Sequence, residues 1–220
     1  MQEENFKLIF GKIEYLNLLP FHVFMKRFSR NSQEKMIMEF KKDVPAKINI
    51  EFENRRVNAA FISSIKAKNK KRSRLGIVAR KEVQSVLVIP QDEYTRDIES
   101  ATSNVLSNLL GVRGKVLIGD KALKYYLTGA EHIDLAKRWQ EKYNLPFVFA
   151  VLSYHRHDKQ IKKIEKYFSK TKIKIPQYIL KQASHKTGIQ SKDITAYLTK
   201  ISYKIDTKAL LGLKTFYKQV

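Results

Sequence analysis

The chain contains no cysteine. Disulfides, thiolate metal sites and a cysteine nucleophile are therefore excluded, and redox chemistry points to no compartment. No apolar run approaches the ~20 residues of a membrane span. The opening MQEENFKLIF lacks the basic start and apolar stretch of a secretory signal. The expectation is a soluble, cytoplasmic protein with no membrane partner. Repeats and low-complexity tracts are missing as well. Acidic residues are scarce, 21 against 43 lysines and arginines, which leaves a formal net charge of +22. Such a balance invites a nucleic-acid reading. Lys66 to Lys81 carries eight basic residues and no acid, and Arg156 to Lys186 is rich in lysine. The first of these runs lacks interleaved aromatics, however, and no zinc-finger, KH or RRM-type signature accompanies either. No specific nucleic-acid partner is expected. A solvated lysine-rich surface accounts for the charge, and such a surface steers small anions toward a cleft.

What is present suffices for a folded core. Hydrophobic residues make up 43% of 220, enough for one large or two small domains. Residues 6–13 read as a strand that stops at an Asn-containing turn closed by Pro20. Pro20 to Phe28 reads as a short amphipathic helix and Gln33 to Asp43 as a second. Ile48, Ile50 and Phe52 alternate, which predicts a strand over 46–52. The run VNAAFI (57–62) predicts a strand buried on both faces. Further strands are expected at 75–79, 84–89, 115–118 and 147–152. Hydroxyls at Ser100, Thr102 and Ser103 precede a face of Val105, Leu106, Leu109 and Leu110, a helix start. Gly111 to Gly114 reads as a tight turn. Helices are expected from Asp120 through Leu127 and from Asp134 to Tyr143. From His157 onward the pattern is helical, including Ile194 to Ile201 and the closing ALLGLKTFYKQV.

Strands alternating with helices predict an α/β fold with mostly parallel sheets. Two apolar strands, 83–89 and 147–154, bracket a middle section. This predicts two lobes joined by two crossings, the arrangement of periplasmic-binding-protein-like (type II) folds, with a ligand in the cleft. The expected division is residues 1–83 plus 155–220 for lobe 1, and 84–154, crossing strands included, for lobe 2.

The wording of the chain also resembles one family. GKIEYLNLLPF (11–21) is similar to the N-terminal signature of chorismate dehydratases, through Gly11, Ile13, Tyr15, Leu16, Asn17, Pro20 and Phe21. NAAFISSI (58–65), VQSVLV (83–88), SATSNVL (100–106), VLIGDKAL (116–123) and DLAKRWQEKYNLPFVFAV (134–151) resemble further family segments in the same order, and ALLGLKTF resembles the closing one. Three departures stand out. Ala101 occupies the place of the family's arginine, Glu14 replaces a small polar residue, and the stretch between Leu110 and Lys115 is short, so a trimmed second lobe is expected.

The resemblance implies loss of water from chorismate, a small dianion, to give 3-[(1-carboxyvinyl)oxy]benzoate in the futalosine route to menaquinone, with no cofactor. It implies Asn17 and Ser85 as catalytic residues. It implies Tyr15, Ser63, Ser64, Ser100, Thr102, Ser103 and Asp120 as substrate-binding residues. Read from the residues alone, Asn17 is a turn former or a two-way hydrogen-bonding group, and Ser85 a small strand filler or a cleft hydroxyl. The serines cap helices or bind anions, roles that share the same exposed N–H groups. Asp120 reads as a helix cap. His22, His132, His155, His157 and His185 form no metal-ligand spacing of weight, and only His22 lies near the opening motif. No general base stands out. One reading lets the substrate's enolpyruvyl carboxylate take the ring proton. Two alternatives accompany the dehydratase: a cytoplasmic anion-binding module of the same fold, and the sister enzyme that makes 1,4-dihydroxy-6-naphthoate.

Overall fold

The computed structural model describes residues 7–29 and 38–220. Strand β1 (Leu8–Lys12) leads through a 3-10 turn (Leu16–Leu18) into helix α1 (Leu19–Phe28). Pro20 sits in the first turn of α1, where its missing N–H costs no hydrogen bond. Next come β2 (Met38–Lys42), α2 (Pro45–Glu53), β3 (Ala59–Ser63) and β4 (Arg72–Ala79). The chain then crosses to β5 (Val86–Ile89), α3 (Ala101–Leu109), β6 (Lys115–Ile118), α4 (Gly119–Leu127), β7 (Ile133–Asp134) and α5 (Leu135–Tyr143). It returns along β8 (Phe147–Tyr154) and ends with α6 (Asp158–Lys170), α7 (Gln177–Thr187), α8 (Ser191–Leu198), β9 (Ile201–Lys204) and α9 (Thr207–Gln219).

The strands form a six-stranded sheet, β2-β1-β3-β8-β4-β9, and a three-stranded sheet, β6-β5-β7. Helices α3, α4 and α5 belong to the segment that builds the smaller sheet, and the tight turn through Gly111 and Gly114, both at positive φ, joins α3 to β6. β8, grouped with the second lobe as a crossing strand in the expected division, pairs with β3 and β4 inside the larger sheet. Its apolar run is buried except at Ala150, as befits a strand covered on both faces.

The expected parallel sheets are corrected to mixed ones. β1 is parallel to β2 and β3, but β3–β8, β4–β8, β4–β9, β5–β6 and β5–β7 are antiparallel. The reason is directional: a chain that leaves for the second lobe after β4 and comes back along β8 runs the two strands in opposite senses. The strand expected over 46–52 is helix α2. Ile48 and Phe52, four apart, are fully buried, whereas Ile50 is 54% exposed, so the period is 3.6 rather than 2. The helix expected over 33–43 meets strand β2 from Met38 onward, its earlier part lying outside the described residues. β2 is an edge strand buried only at Met38; pairing with β1 decides its conformation. The helix expected to reach Ile201 stops at Leu198, and Ile201 opens β9 on the free side of β4.

Both crossings are anchored. Asp134 caps α5 by accepting from the Ala136 and Lys137 amides, at 2.9 and 3.0 Å. Its other oxygen accepts from the Val83 and Gln84 amides, at 2.9 and 2.7 Å. Burial pushes the Asp134 carboxyl up, against the four amides that stabilise its charge. Gln84 itself takes φ +64°, a left-handed conformation unusual for a side-chain-bearing residue. At the return crossing, α9 rests on Pro146. A Cβ on Gly212 would sit 2.1 Å from the Pro146 carbonyl oxygen, so only glycine permits this approach.

Candidate active site

Between the two sheets lies a cavity of about 80 Å³. Tyr15 and Asn17 reach it from the turn after β1, Ser63 from the end of β3, Ser85 from the outgoing crossing, and Ser100 and Ser103 from the start of α3. Ile13, Phe61, Ile77 and Phe149 supply apolar walls. Six of the nine sequence-predicted site residues thus meet, from segments far apart in the chain.

The polar groups are held in different ways. The Oδ1 atom of Asn17 is buried and has no hydrogen-bond partner, while the Asn17 carbonyl accepts from the Tyr203 hydroxyl at 2.6 Å. Buried polar groups are usually paired, and a buried amide oxygen left open beside a cavity is ready for a ligand donor. Ser85 is 2% exposed; its Oγ accepts from the Tyr197 hydroxyl at 2.8 Å, and its carbonyl from the Gly119 amide at 2.8 Å. Asn49 of α2 supports Ser63: its Oδ1 accepts from the Ser63 amide at 3.2 Å, and its Nδ2 donates to Ser63 Oγ at 3.5 Å. Ser100 caps α3, accepting from the Ser103 amide at 3.1 Å and donating to Ser103 Oγ at 2.6 Å.

The cavity has one carboxylate, Glu99, and no lysine or arginine among its lining residues. Pro45, Ser100 and Gly119 all line it, and they mark the starts of α2, α3 and α4. Helix N-termini carry the positive end of the helix dipole; of the lining residues there, Pro45 has no N–H, and the Ser100 and Gly119 amides donate to the Asp97 and Ser85 carbonyls. Gly119 has φ +65°, and a Cβ there would sit 2.9 Å from the Tyr15 ring; glycine lets the helix start press against that ring. The Tyr15 hydroxyl donates to Glu99 Oε2, with Lys121 Nζ 3.8 Å from the same oxygen. Burial, then the Glu99 carboxylate, holds the Tyr15 phenol far above its ordinary value, so it remains a donor.

Three predicted residues spend their polar atoms on the protein. Ser64 Oγ donates to the Val148 carbonyl at 2.5 Å. Thr102 Oγ1 accepts from the Ile65 amide at 3.1 Å. Asp120 Oδ1 accepts from the Leu16 amide at 3.0 Å, tying α4 to the turn that carries Asn17. Burial pushes the Asp120 carboxyl up, against that amide.

Glu14 faces away from this cavity. Lys12, Lys42 and Lys186 surround its carboxylate, with Nζ atoms 3.3, 2.6 and 2.5 Å away. Burial raises its pKa, but these lysines outweigh burial and hold the carboxyl at about 2. His22 also lies outside the cavity lining: its Nε2 donates to the Ile13 carbonyl at 2.7 Å, and burial pushes its pKa down to about 4. Among the described residues no cluster of histidine and carboxylate side chains is arranged to hold a metal ion.

Sequence reasoning passed over Glu99, Asn49, Tyr197 and Tyr203. Asn49 stood in a segment assigned the wrong period, and the two tyrosines make contacts 112 and 186 residues away, which no local pattern signals.

The family model described as menaquinone biosynthesis matches residues 101–220. A curated chorismate dehydratase of Campylobacter jejuni is 47% identical over 215 residues, covering 96% of each chain. Among solved structures, protein AF1704 of Archaeoglobus fulgidus aligns with a TM-score of 0.73 at 11% identity, over 99% of this chain and 97% of that one. The periplasmic aliphatic sulphonate binding protein SsuA of Escherichia coli aligns with a TM-score of 0.56 at 11% identity, over 97% and 92%. The fold is thus the two-lobed type of periplasmic binding proteins.

Proposed function

Because this chain belongs to the chorismate dehydratase family of menaquinone biosynthesis, we propose that the cavity between its sheets is where chorismate loses water. The product is 3-[(1-carboxyvinyl)oxy]benzoate, and the reaction is that of a hydro-lyase. One ring C–H bond and one C–OH bond break, the electron pair of the first completes the aromatic ring, and proton and hydroxide leave together as water.

The observation that carries this assignment is the open Asn17 Oδ1 in a cavity fed by three helix starts. Asn17 takes a substrate hydroxyl as donor on Oδ1 and offers its amide protons to a carboxylate. The Ser63 and Ser103 hydroxyls, aided by the positive ends of the helix dipoles, hold the substrate's two carboxylates, and Ser100, whose own proton goes to Ser103 Oγ, orients Ser103. Ala101 opens α3 where the family has arginine, so these neutral donors replace a cation. Ser85 donates its proton toward the departing hydroxyl. The enolpyruvyl carboxylate of the substrate takes the ring proton and passes it to the departing hydroxyl, which leaves as water while Ser85 keeps its proton in a hydrogen bond; no protein base is required. A second reading has one supporting observation: Glu99 is a carboxylate that lines the cavity.

Typical ligand pockets measure about 300–1,000 Å³, so a cavity of about 80 Å³ must widen to admit the substrate. We further assign the enzyme to the futalosine route and the cytoplasm, a reading supported by its biosynthetic kinship.

Incubation of the protein with chorismate, followed by chromatography, tests the function. The expected result is stoichiometric appearance of the aromatic product. Binding without product would instead favour an anion-binding module, and turnover of a dihydroxynaphthoate precursor alone would favour the sister enzyme.

A further inference from the structure

The segment of α8 and β9 places two tyrosine hydroxyls behind the two residues assigned to chemistry. Tyr203 holds the backbone of Asn17, at 2.6 Å. Tyr197 reaches a side chain instead: its hydroxyl donates to Ser85 Oγ at 2.8 Å, and both residues are 2% exposed. Tyr197 is not among the cavity-lining residues, whereas Ser85 is.

A serine hydroxyl has one proton to give and lone pairs to receive. With its inner side accepting from Tyr197, Ser85 keeps its own proton. Among the described residues, Ser85 Oγ donates to no protein acceptor, so the open direction for its proton is the cavity. Donation from the phenol also polarises the serine O–H and strengthens it as a donor. We propose that Tyr197 is a positioning residue for the dehydration: it fixes Ser85 Oγ as an acceptor on the protein side and so presents the serine proton to the substrate. The inference rests on the assignment of Ser85 to the chorismate site.

A double-mutant cycle in the full chain tests it, with kcat and KM for chorismate read from product formation. Tyr197→Phe removes one oxygen and keeps the ring. It should lower kcat about tenfold, the size of one lost buried hydrogen bond, with KM changed less than about twofold, since ground-state contacts remain. Ser85→Ala should lower kcat further, and adding Tyr197→Phe to it should change nothing more, because the tyrosine acts only through the serine. Wild-type kcat in Tyr197→Phe, additive losses in the double variant, or failure of Tyr197→Phe to fold would each overturn the positioning role. Wild-type turnover in Ser85→Ala is a different result: it removes the assignment of Ser85 itself, and this inference with it.

Discussion

Replacing Asn17 by alanine should separate activity from stability, because the two pull in opposite directions at this residue. In the proposed site the amide makes two contacts with substrate. A hydrogen bond to a charged group is worth about 1.5–3 kcal/mol, and a neutral one about 1 kcal/mol. Losing both removes about 2.5–4 kcal/mol, a fall of roughly 70- to 900-fold in kcat/KM. In the free protein the balance reverses. Asn17 Oδ1 is buried and unpaired, and an unmet acceptor costs about 1–3 kcal/mol. Alanine deletes that cost while leaving the Asn17 carbonyl bonded to Tyr203. Stability should stay level or rise by about 1 kcal/mol, which in a chain of this size raises Tm by about 2–4 °C. The assay pairs chorismate turnover with a thermal melt of the same preparation. An inactive variant that melts well below the wild type would show that Asn17 builds the turn rather than serves the substrate. A variant retaining most of its turnover would refute the assignment outright.

Glu99→Gln keeps the acceptor for Tyr15 and removes the charge; if the substrate supplies the base, kcat should fall by less than about tenfold, and a far larger loss measured by initial rates would make Glu99 the base. His22 has a folded pKa of about 4 against an ordinary 6.5. It therefore contributes stability that is complete above pH 6.5 and lost as pH falls through about 4, in total about 3 kcal/mol. His22→Gln, which does not titrate, should show a flatter dependence in urea unfolding between these values while leaving turnover at pH 7.5 intact; identical pH dependence in both proteins would contradict the burial argument. Gly119→Ala puts a Cβ against the Tyr15 ring at positive φ. It should cost about 1–3 kcal/mol of stability and raise KM severalfold, so an unchanged melting temperature and KM would disprove the close packing.

The limits of reading this chain from its sequence have physical causes. Strands β3 and β8, and β4 from Leu75 onward, are visible because their residues are mostly apolar on both faces, and α3 and α5 because Ser100 and Asp134 cap them as local chemistry demands. Helix α2 deceived because Ile48, Ile50 and Phe52 satisfy a period of two by accident; only burial reveals that Ile50 points outward. Edge strands β2 and β9 carry no alternation, since most of their residues are not buried, and their pairing comes from neighbours. The direction of β8 relative to β4 depends on the whole chain path. In the site, motifs pointed to Tyr15, Asn17, Ser63, Ser85, Ser100 and Ser103, which line one cavity. They could not reveal that Ser64 and Thr102 turn toward backbone, nor that Glu14 is occupied by three lysines. The supports of Ser85 and Asn17 come from Tyr197 and Tyr203, beyond the reach of any local pattern.

Those tyrosines also set a schedule. Asn17 leaves the ribosome early, and Tyr203, which holds its carbonyl, follows 186 residues later. At about 5–20 residues per second, the wait is on the order of 10–40 s. Through that interval β4 is synthesised without β9, and an unpaired strand edge is a template for foreign pairing. The turn that carries Asn17 is therefore made well before the strand that fastens it. A nascent chain halted before β9 should still bury β8, yet remain inactive and open to chaperones until the final strand closes the sheet.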